Sequence, residues 1–210
     1  MNTCYIAGSG DFTLKNLSPE NGDFVIAADG GYRYLTDHGI KVNLLCGDFD
    51  SFVCASLPEG IPVLRFPCEK DDTDVGLALK EGMARGYRKF RLYGCSGSRP
   101  DHFFANLQHL KKLSEAGCDI ALVCPGFSVY AVTNSERTFV REKGTVLSVF
   151  AVCEKAEGVS LENVKYPLNN ESVLPEFPIG VSNEFLIGEA RIRVKNGTLL
   201  IFVYDSPQNN

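Results

Sequence analysis

Short apolar runs alternate with amphipathic stretches through the first 125 or so residues of the chain. The apolar runs predict six strands, at 5–7, 24–28, 44–46, 63–66, 90–93 and 120–123. Apolar residues at helical spacing predict helices over 32–38, over about 73–85, and from about 101 to about 116. Strands that alternate with helices indicate βαβ units, and therefore a mainly parallel sheet with flanking helices.

Helical periodicity is lost after about residue 125, and six further apolar runs predict strands at 129–132, 137–140, 145–152, 158–161, 190–194 and 198–204. Asn196-Gly197 lies between the last two runs and predicts a type I′ hairpin. We therefore expect two domains. Residues 1–127 should form an α/β domain, and residues 128–210 an all-β antiparallel sandwich.

Polar clusters follow several predicted strands of the first half directly. In a parallel sheet the carboxyl ends of the strands lie along one edge, and ligands bind at that edge. The topology should therefore gather residues that are far apart in the sequence: Asp29, Asp48, Asp50, Asp71, Asp74, Arg99 and Asp101.

Asp48 and Asp50 are one residue apart at the end of an apolar run. In extended backbone the side chains of alternate residues point the same way, so the two carboxylates lie side by side. Like charges at this spacing repel each other unless a cation lies between them, and Mg²⁺ prefers a few carboxylates together with water and phosphates. The alternative interpretation is an ordinary turn, where Gly and Asp are common.

Asp71 and Asp74 are three residues apart at a predicted helix start, so they can share a face. Helix capping is the alternative, because Thr and acidic residues favour an N-terminus. Arg99 could pair with phosphate oxygens through its planar guanidinium, or it could be a solvated loop residue. Gly94 and Gly97 would let backbone N–H groups approach an anion near the next helix start.

Composition and charge exclude several classes of protein. The formal net charge of −5 argues against a nucleic-acid-binding protein. No apolar run approaches the length needed to span a membrane, and the first residues lack the pattern of a signal peptide. The eight cysteines form no Cys-x-x-Cys pair, which indicates reduced thiols in a cytoplasmic protein.

Taken in order, the polar clusters resemble those of the thiamine pyrophosphokinase family. The matching segments of the first half are Asp29-Gly30-Gly31, Gly47-Asp48-Phe49-Asp50-Ser51, Asp71-x-Thr73-Asp74 and Arg99-x-Asp101-His102. Residues 159–168 and 180–184 resemble the thiamine-binding domain of that family. The chain departs from the family pattern at Asn163-Val164, where Gly-Leu is usual, and at Ser98, which is often Gly.

The resemblance implies transfer of pyrophosphate from ATP to the hydroxyl of thiamine, with Mg²⁺ bound to Asp48, Asp50, Asp74 and Asp71. It also implies catalytic roles for Asp48, Asp50, Asp74, Arg99 and Asp101. The residues implied on the nucleotide side are Asp29, Gly30, Gly31, Thr73, Gly97 and Arg99. Ser182 and Asn183 would hydrogen-bond thiamine, and Tyr166 would stack on it because the chain has no Trp. The resemblance further implies a homodimer with shared active sites.

Two other hypotheses about the function remain open at this point. Another Mg²⁺-dependent phosphotransferase or nucleotidyltransferase would keep the Asp cluster but act on a different small alcohol, and the Asn163-Val164 segment favours that reading. A non-catalytic thiamine-binding or nucleotide-binding protein is the second. Such a protein has no need of Asp48, Asp50, Asp74 and Arg99 together, which argues against it.

Overall fold

The computed structural model describes residues 1–47, 60–66, 72–97 and 99–207. The chain divides into two compact units. The first consists of residues 1–109 together with 122–125, and the second consists of residues 110–121 together with 126–210.

A parallel sheet forms the centre of the first unit. Its strands are β1 (Cys4–Ala7), β2 (Phe24–Ala28), β3 (Leu44–Gly47), β4 (Val63–Arg65) and β5 (Lys89–Tyr93). They lie in the order β5-β1-β2-β3-β4, and every adjacent pair is parallel. Helix α1 (Gly31–Asp37) joins β2 to β3, and helix α2 (Asp74–Ala84) joins β4 to β5. The predicted parallel α/β arrangement is therefore confirmed for these elements.

Burial of the strands on both faces explains why they read as continuous apolar runs. On one face Leu35 of α1 packs with Tyr5 and Val25 in a single core cluster. On the other face, Gly82 of α2 lies so close to β5 that an added Cβ would lie 2.7 Å from the Phe90 ring. Helix α3 (Pro100–Glu115) and strand β6 (Asp119–Cys124) follow β5, and each belongs partly to both units.

The second unit contains two groups of antiparallel strands. Its strands are β7 (Phe127–Thr133), β8 (Glu136–Val140), β9 (Thr145–Ala151), β10 (Ala156–Glu162), β11 (Leu168–Val173), β12 (Gly180–Glu184), β13 (Glu189–Arg193) and β14 (Thr198–Pro207). Four of them are neighbours within one sheet, in the order β12-β9-β14-β7, and the other four form a second, separate sheet in the order β11-β10-β13-β8. Val149 and Ile201 of the first share one core cluster with Val159 and Ile192 of the second. Two sheets around one core form the predicted sandwich.

The predicted hairpin at Asn196-Gly197 is wrong. Strand β13 pairs with β8 and β10, whereas β14 pairs with β7 and β9, so the two residues connect strands of different sheets. Asn196 instead exchanges backbone hydrogen bonds with Glu157, at 2.8 and 3.1 Å. A type I′ turn needs a positive φ at both central residues, and of these two only Gly197 has one, at 111°.

Candidate functional site

The loops that follow β1 and β5 lie side by side. The N–H groups of Gly10 and Asp11 donate to the carbonyls of Gly94 and Ser96, at 2.7 and 2.8 Å. The backbones of the two loops approach so closely that a Cβ at Gly94 would lie 2.3 Å from the carbonyl oxygen of Gly8. Gly94 also has a φ of 59°, so glycine is required there for both reasons.

A buried side chain on α3 fixes the second of these loops. Asn106 is 4% exposed, and its Nδ2 donates to the carbonyl oxygen of Cys95 at 2.9 Å. Gly97, predicted to approach the nucleotide, has a φ of 126°, and a Cβ there would lie 3.0 Å from Asp11 Oδ1. The loop ahead of α3 is thus held by a side chain from that helix and by the loop after β1.

Asp29-Gly30-Gly31 joins the carboxyl ends of three neighbouring strands. The N–H of Asp29 donates to the carbonyl of Cys46 in β3 at 3.0 Å, and Asp29 has a φ of 47°. A Cβ at Gly31 would lie 2.0 Å from the carbonyl oxygen of Ala7 in β1. A Cβ at Gly47 would lie 1.9 Å from Asp29 Oδ1. The Asp29 carboxylate therefore lies against the residue that directly precedes Asp48.

Thr73 and Asp74 form the start of α2. Thr73 is the N-cap, and its Oγ1 accepts a hydrogen bond from the N–H of Gly76 at 3.0 Å, so the capping interpretation is confirmed for this residue. Asp74 is the first helical residue, and its carbonyl oxygen lies 3.9 Å from Cys46 Sγ. The end of β3 thus has Asp29 on one side and the start of α2 on another.

Three of the four predicted metal ligands, Asp48, Asp50 and Asp71, lie outside the described residues, and so does Ser98. Asp74 is the one predicted ligand within them. Across residues 1–47, 60–66, 72–97 and 99–207, no three His, Cys, Asp or Glu side chains form a group able to hold a metal ion. Among the described residues, Asp29 has its carboxylate against the end of β3, and carboxylate oxygens suit a hard cation such as Mg²⁺.

Arg99 and Asp101 are paired with each other at the start of α3. Arg99 Nε and Nη2 donate to the two carboxylate oxygens of Asp101, at 3.0 and 2.7 Å. These hydrogen bonds hold the pKa of the Asp101 carboxyl well below its usual range and raise that of Arg99. Both side chains are exposed, 66% and 63%, so the guanidinium can exchange this carboxylate for a phosphate group.

The predicted thiamine-side residues lie in the second unit. Asn183 is 1% exposed, and its side chain is directed at the backbone of Tyr166. Its Oδ1 accepts from the Tyr166 N–H at 2.9 Å, and its Nδ2 donates to the Tyr166 carbonyl at 2.7 Å. Tyr166 itself is 57% exposed, with Lys165 Nζ 5.6 Å from its ring centroid. Asn183 thus supports the segment that presents the Tyr166 ring.

Ser182 is exposed and lies on β12, the edge strand of its sheet, in a left-handed conformation with φ of 54°. Its N–H donates to Ser148 Oγ at 3.0 Å, and the pairing of β12 with β9 shifts register between Gly180 and Asn183. A non-glycine residue in this region costs energy and is held by the structure around it. Ser182 therefore lies at an irregular position of the β12–β9 pairing, with its side chain exposed.

One contact in the first unit, between His109 and the residues at the start of α2, has no signal in the sequence. His109 Nε2 lies 3.3 Å from Thr73 Oγ1 and 3.8 Å from Asp72 Oδ1. The two parts of this contact are thirty-six positions apart in the chain. No spacing rule within a single helix connects residues so distant, and the packing of α2 beside α3 brings them together.

Family comparisons cover most of the chain. Residues 16–122 match the family model described as thiamin pyrophosphokinase, catalytic domain, and residues 134–199 match the thiamin pyrophosphokinase, vitamin B1 binding domain. The chain is 27% identical over 198 residues to thiamine pyrophosphokinase of Bacillus subtilis, which covers 89% of this chain and 92% of that protein.

Solved structures are similar over nearly the whole chain. The crystal structure of thiamine pyrophosphokinase from Bacillus subtilis has a TM-score of 0.84 at 25% identity and covers 97% of this chain and 99% of that one. That of thiamin pyrophosphokinase from Geobacillus thermodenitrificans has a TM-score of 0.81 at 25% identity and covers 96% and 97%. In the part of this chain that the structure describes, no helix is long and apolar enough to cross a membrane.

Proposed function

The chain belongs to the thiamin pyrophosphokinase family, and from that premise we propose which residues carry out its reaction, the ATP-dependent formation of thiamine diphosphate. The thiamine hydroxyl oxygen bonds to the β-phosphorus of ATP and loses its proton to water, the bond from that phosphorus to the α,β-bridging oxygen breaks, and AMP leaves. The observation that carries this assignment is the match of both halves of the chain to the two domains of one family.

We assign Asp48, Asp50 and Asp74, with Asp71, to a Mg²⁺ site at the end of β3. Support comes from Asp29 and the start of α2, which border Cys46 and Gly47 just before Asp48. These carboxylates would hold Mg²⁺, which would neutralise charge on the phosphates of ATP. Asp29, Gly30, Gly31, Thr73, Gly97 and Arg99 are proposed on the nucleotide side of the same edge.

Arg99 is proposed to neutralise charge on the transferred pyrophosphoryl group. Its fork of donors fits two phosphate oxygens, as it now fits the two carboxylate oxygens of Asp101. With its pKa held low, Asp101 is a weak proton acceptor, so we propose that it orients Arg99 and the attacking hydroxyl.

Thiamine recognition is assigned to Ser182, Asn183 and Tyr166. The exposed Tyr166 ring offers a face for stacking, and the exposed Ser182 hydroxyl offers a hydrogen bond to the aminopyrimidine. Asn183 contributes through the backbone of Tyr166, to which its side chain donates and from which it accepts.

We also propose that the protein is a cytoplasmic homodimer, with domains at 1–127 and 128–210. Each active site would take its catalytic domain from one chain and its thiamine-binding domain from the other, as the resemblance to the family implies. The six described cysteines are free thiols, which supports a reducing compartment.

The purified protein with thiamine, ATP and Mg²⁺ tests the reaction. Chromatography with mass detection should show thiamine diphosphate and AMP in equal amounts. ADP with thiamine monophosphate would indicate a simple kinase, and inorganic pyrophosphate would indicate a nucleotidyltransferase. No product with thiamine, but turnover with another small alcohol, would redirect the assignment to that alcohol.

A further inference from the structure

Three side chains meet where α2 begins beside α3. His109 of α3 approaches Thr73, the N-cap of α2, at 3.3 Å, and it approaches Asp72 at 3.8 Å. The side chains of His109 and Asp72 are each 17% exposed, so water reaches this contact only partly. The imidazole therefore connects two helices through polar atoms that are largely shielded from solvent.

A glycine makes this close approach possible. A Cβ at Gly76 would lie 2.1 Å from Asp72 Oδ1 and 2.9 Å from His109 Cε1. Both distances are shorter than real Cβ contacts, so any side chain at Gly76 would push the aspartate and the imidazole away. The first turn of α2 is thus shaped to receive His109.

Asp72 is held in place from the α2 side as well. Its Oδ2 lies 2.8 Å from Lys80 Nζ, and its Oδ1 accepts from the N–H of Thr73 at 2.9 Å. Partial burial would raise the pKa of Asp72, but Lys80, the Thr73 N–H and His109 together hold it below its ordinary value. Lys80 lies within α2, so of these contacts only the one with His109 reaches from α3.

We propose that His109 is a positioning residue for pyrophosphoryl transfer, holding the start of α2 in register with α3. Asp74 directly follows the Thr73 cap, and Arg99 and Asp101 lie at the start of α3. The contact thereby fixes the distance between a proposed Mg²⁺ ligand and the proposed pyrophosphate-binding arginine. The inference rests on the proposed role of Asp74.

The size of the effect follows from how sharply phosphoryl transfer depends on geometry. Transfer of this kind relies on positioning and charge neutralisation, and a misplacement of about 1 Å can lower the rate by about 100-fold. Thiamine is assigned to the second unit, which contains neither α2 nor His109. Loss of the contact should therefore change kcat and the Mg²⁺ requirement, and leave the KM for thiamine nearly unchanged.

Two substitutions at one position separate the hydrogen bond from the packing. His109→Phe keeps a ring but loses both nitrogens, whereas His109→Gln places a polar atom at about the reach of Nε2. Lys80→Ala is the matched control, because it removes the other side-chain partner of Asp72 without touching α3. Each variant is assayed for kcat, KM for thiamine, half-saturating Mg²⁺ concentration and Tm.

We expect His109→Phe to lower kcat by about 10-fold to 100-fold and to raise the half-saturating Mg²⁺ concentration several-fold, with KM for thiamine within about two-fold. His109→Gln and Lys80→Ala should stay within about three-fold of wild type in kcat. If His109→Phe does not fold, His109→Asn, which is too short to reach Thr73 Oγ1, takes its place in the comparison.

Two results would overturn the positioning role. One is wild-type kcat and Mg²⁺ dependence in His109→Phe. The other is equal losses in the Phe and Gln variants that follow their Tm values, which would mean packing alone. Asp74→Asn, assayed alongside, tests the premise separately. An active Asp74→Asn removes Asp74 from the metal site, whereas an inactive one beside an unaffected His109→Phe rejects only the inference about His109.

Discussion

Arg99 donates two hydrogen bonds to Asp101 two residues later, so its planar fork is already shaped for a two-oxygen acceptor. Pairs exposed to this degree contribute little to stability, because water and salt screen their attraction. The geometry of the pair therefore supports the proposed pyrophosphate-binding role of Arg99. A phosphate group that displaces the carboxylate would find the guanidinium already oriented.

Arg99→Lys should lower kcat more than it raises KM for thiamine. Lysine keeps the charge but loses the two-bond geometry, and loss of one preorganised hydrogen-bond donor costs about 100-fold or more in kcat. Steady-state kinetics with each substrate varied in turn measure the two parameters. Arg191→Lys, a change at an exposed arginine paired with Glu136, is the control. A wild-type kcat in Arg99→Lys would reduce Arg99 to a surface residue.

The second prediction concerns the titration of Asp101. Its pKa in the folded protein is lowered by Arg99, so the pair's contribution to stability is present above the unfolded-state pKa of about 3.9 and is lost as pH falls through the lower folded-state value. In Arg99→Met the Asp101 carboxyl should titrate near its ordinary value. NMR observation of the carboxyl carbon from pH 6 downward compares the two proteins. Equal midpoints would show that the ion pair does not form in solution.

Replacement of the acidic residues at the end of β3 and the start of α2 provides the third prediction. Asp50→Asn, Asp48→Asn and Asp74→Asn should each abolish turnover while circular dichroism shows a retained fold. Because the change removes one charge from a like-charged cluster, the protein without Mg²⁺ should be as stable as wild type or slightly more so. Near wild-type activity at limiting Mg²⁺ in any of the three would remove that residue from the metal site.

Substitutions at Asn183 and Ser182 should affect protein stability and thiamine binding differently. Asn183→Ala leaves the Tyr166 N–H and carbonyl without their buried partner, which should cost about 1–3 kcal/mol in the free energy of unfolding.

Ser182→Gly removes strain at a φ of 54° and should stabilise the protein by up to about 1 kcal/mol. The same change should raise KM for thiamine, because the hydroxyl is lost. Urea unfolding and steady-state kinetics measure the two effects. A destabilised Ser182→Gly with unchanged KM would contradict both roles.

The parallel sheet could be predicted because its strands are buried on both faces and each is followed by a polar turn. Strands β11 and β12 were not predicted. β11 reads Leu-Asn-Asn-Glu-Ser-Val and is mostly exposed, so it has neither an apolar run nor alternation. Both lie at sheet edges, where one side of the strand makes no ladder and polar residues are tolerated.

In the candidate site, too, some residues can be predicted from the sequence and others cannot. Asp29 directly follows the apolar run of β2, and the topology of a parallel sheet places residues in such positions at one edge. His109 has no such signal, since its role depends on how two helices pack. The Asn196-Gly197 error has the same origin. A dipeptide typical of hairpins indicates only the local backbone preference. Which sheet each flanking strand joins depends on how its side chains pack in the core.

The last prediction tests the proposed shared site with two inactive variants. Asp50→Asn damages the catalytic domain, and Ser182→Ala/Tyr166→Ala damages the thiamine-binding domain. Tyr166 is preferred to Asn183 because its side chain is 57% exposed, whereas loss of the buried Asn183 would also destabilise the fold. In a site formed by domains of two chains, one of the two sites in a mixed dimer has both domains intact. In a site formed within one chain, every site carries a defect.

Random pairing of equal amounts makes about half of the dimers mixed, and each mixed dimer regains one of its two sites, so activity should return to about a quarter of wild type. Exchange of subunits is verified by pull-down with two different tags, and each variant incubated alone is the control. The recovered activity should rise with the fraction of doubly tagged dimers as exchange proceeds. Complete exchange without any recovery would show that each site is built within one chain, and it would leave the assignment of the reaction intact because that rests on the family match.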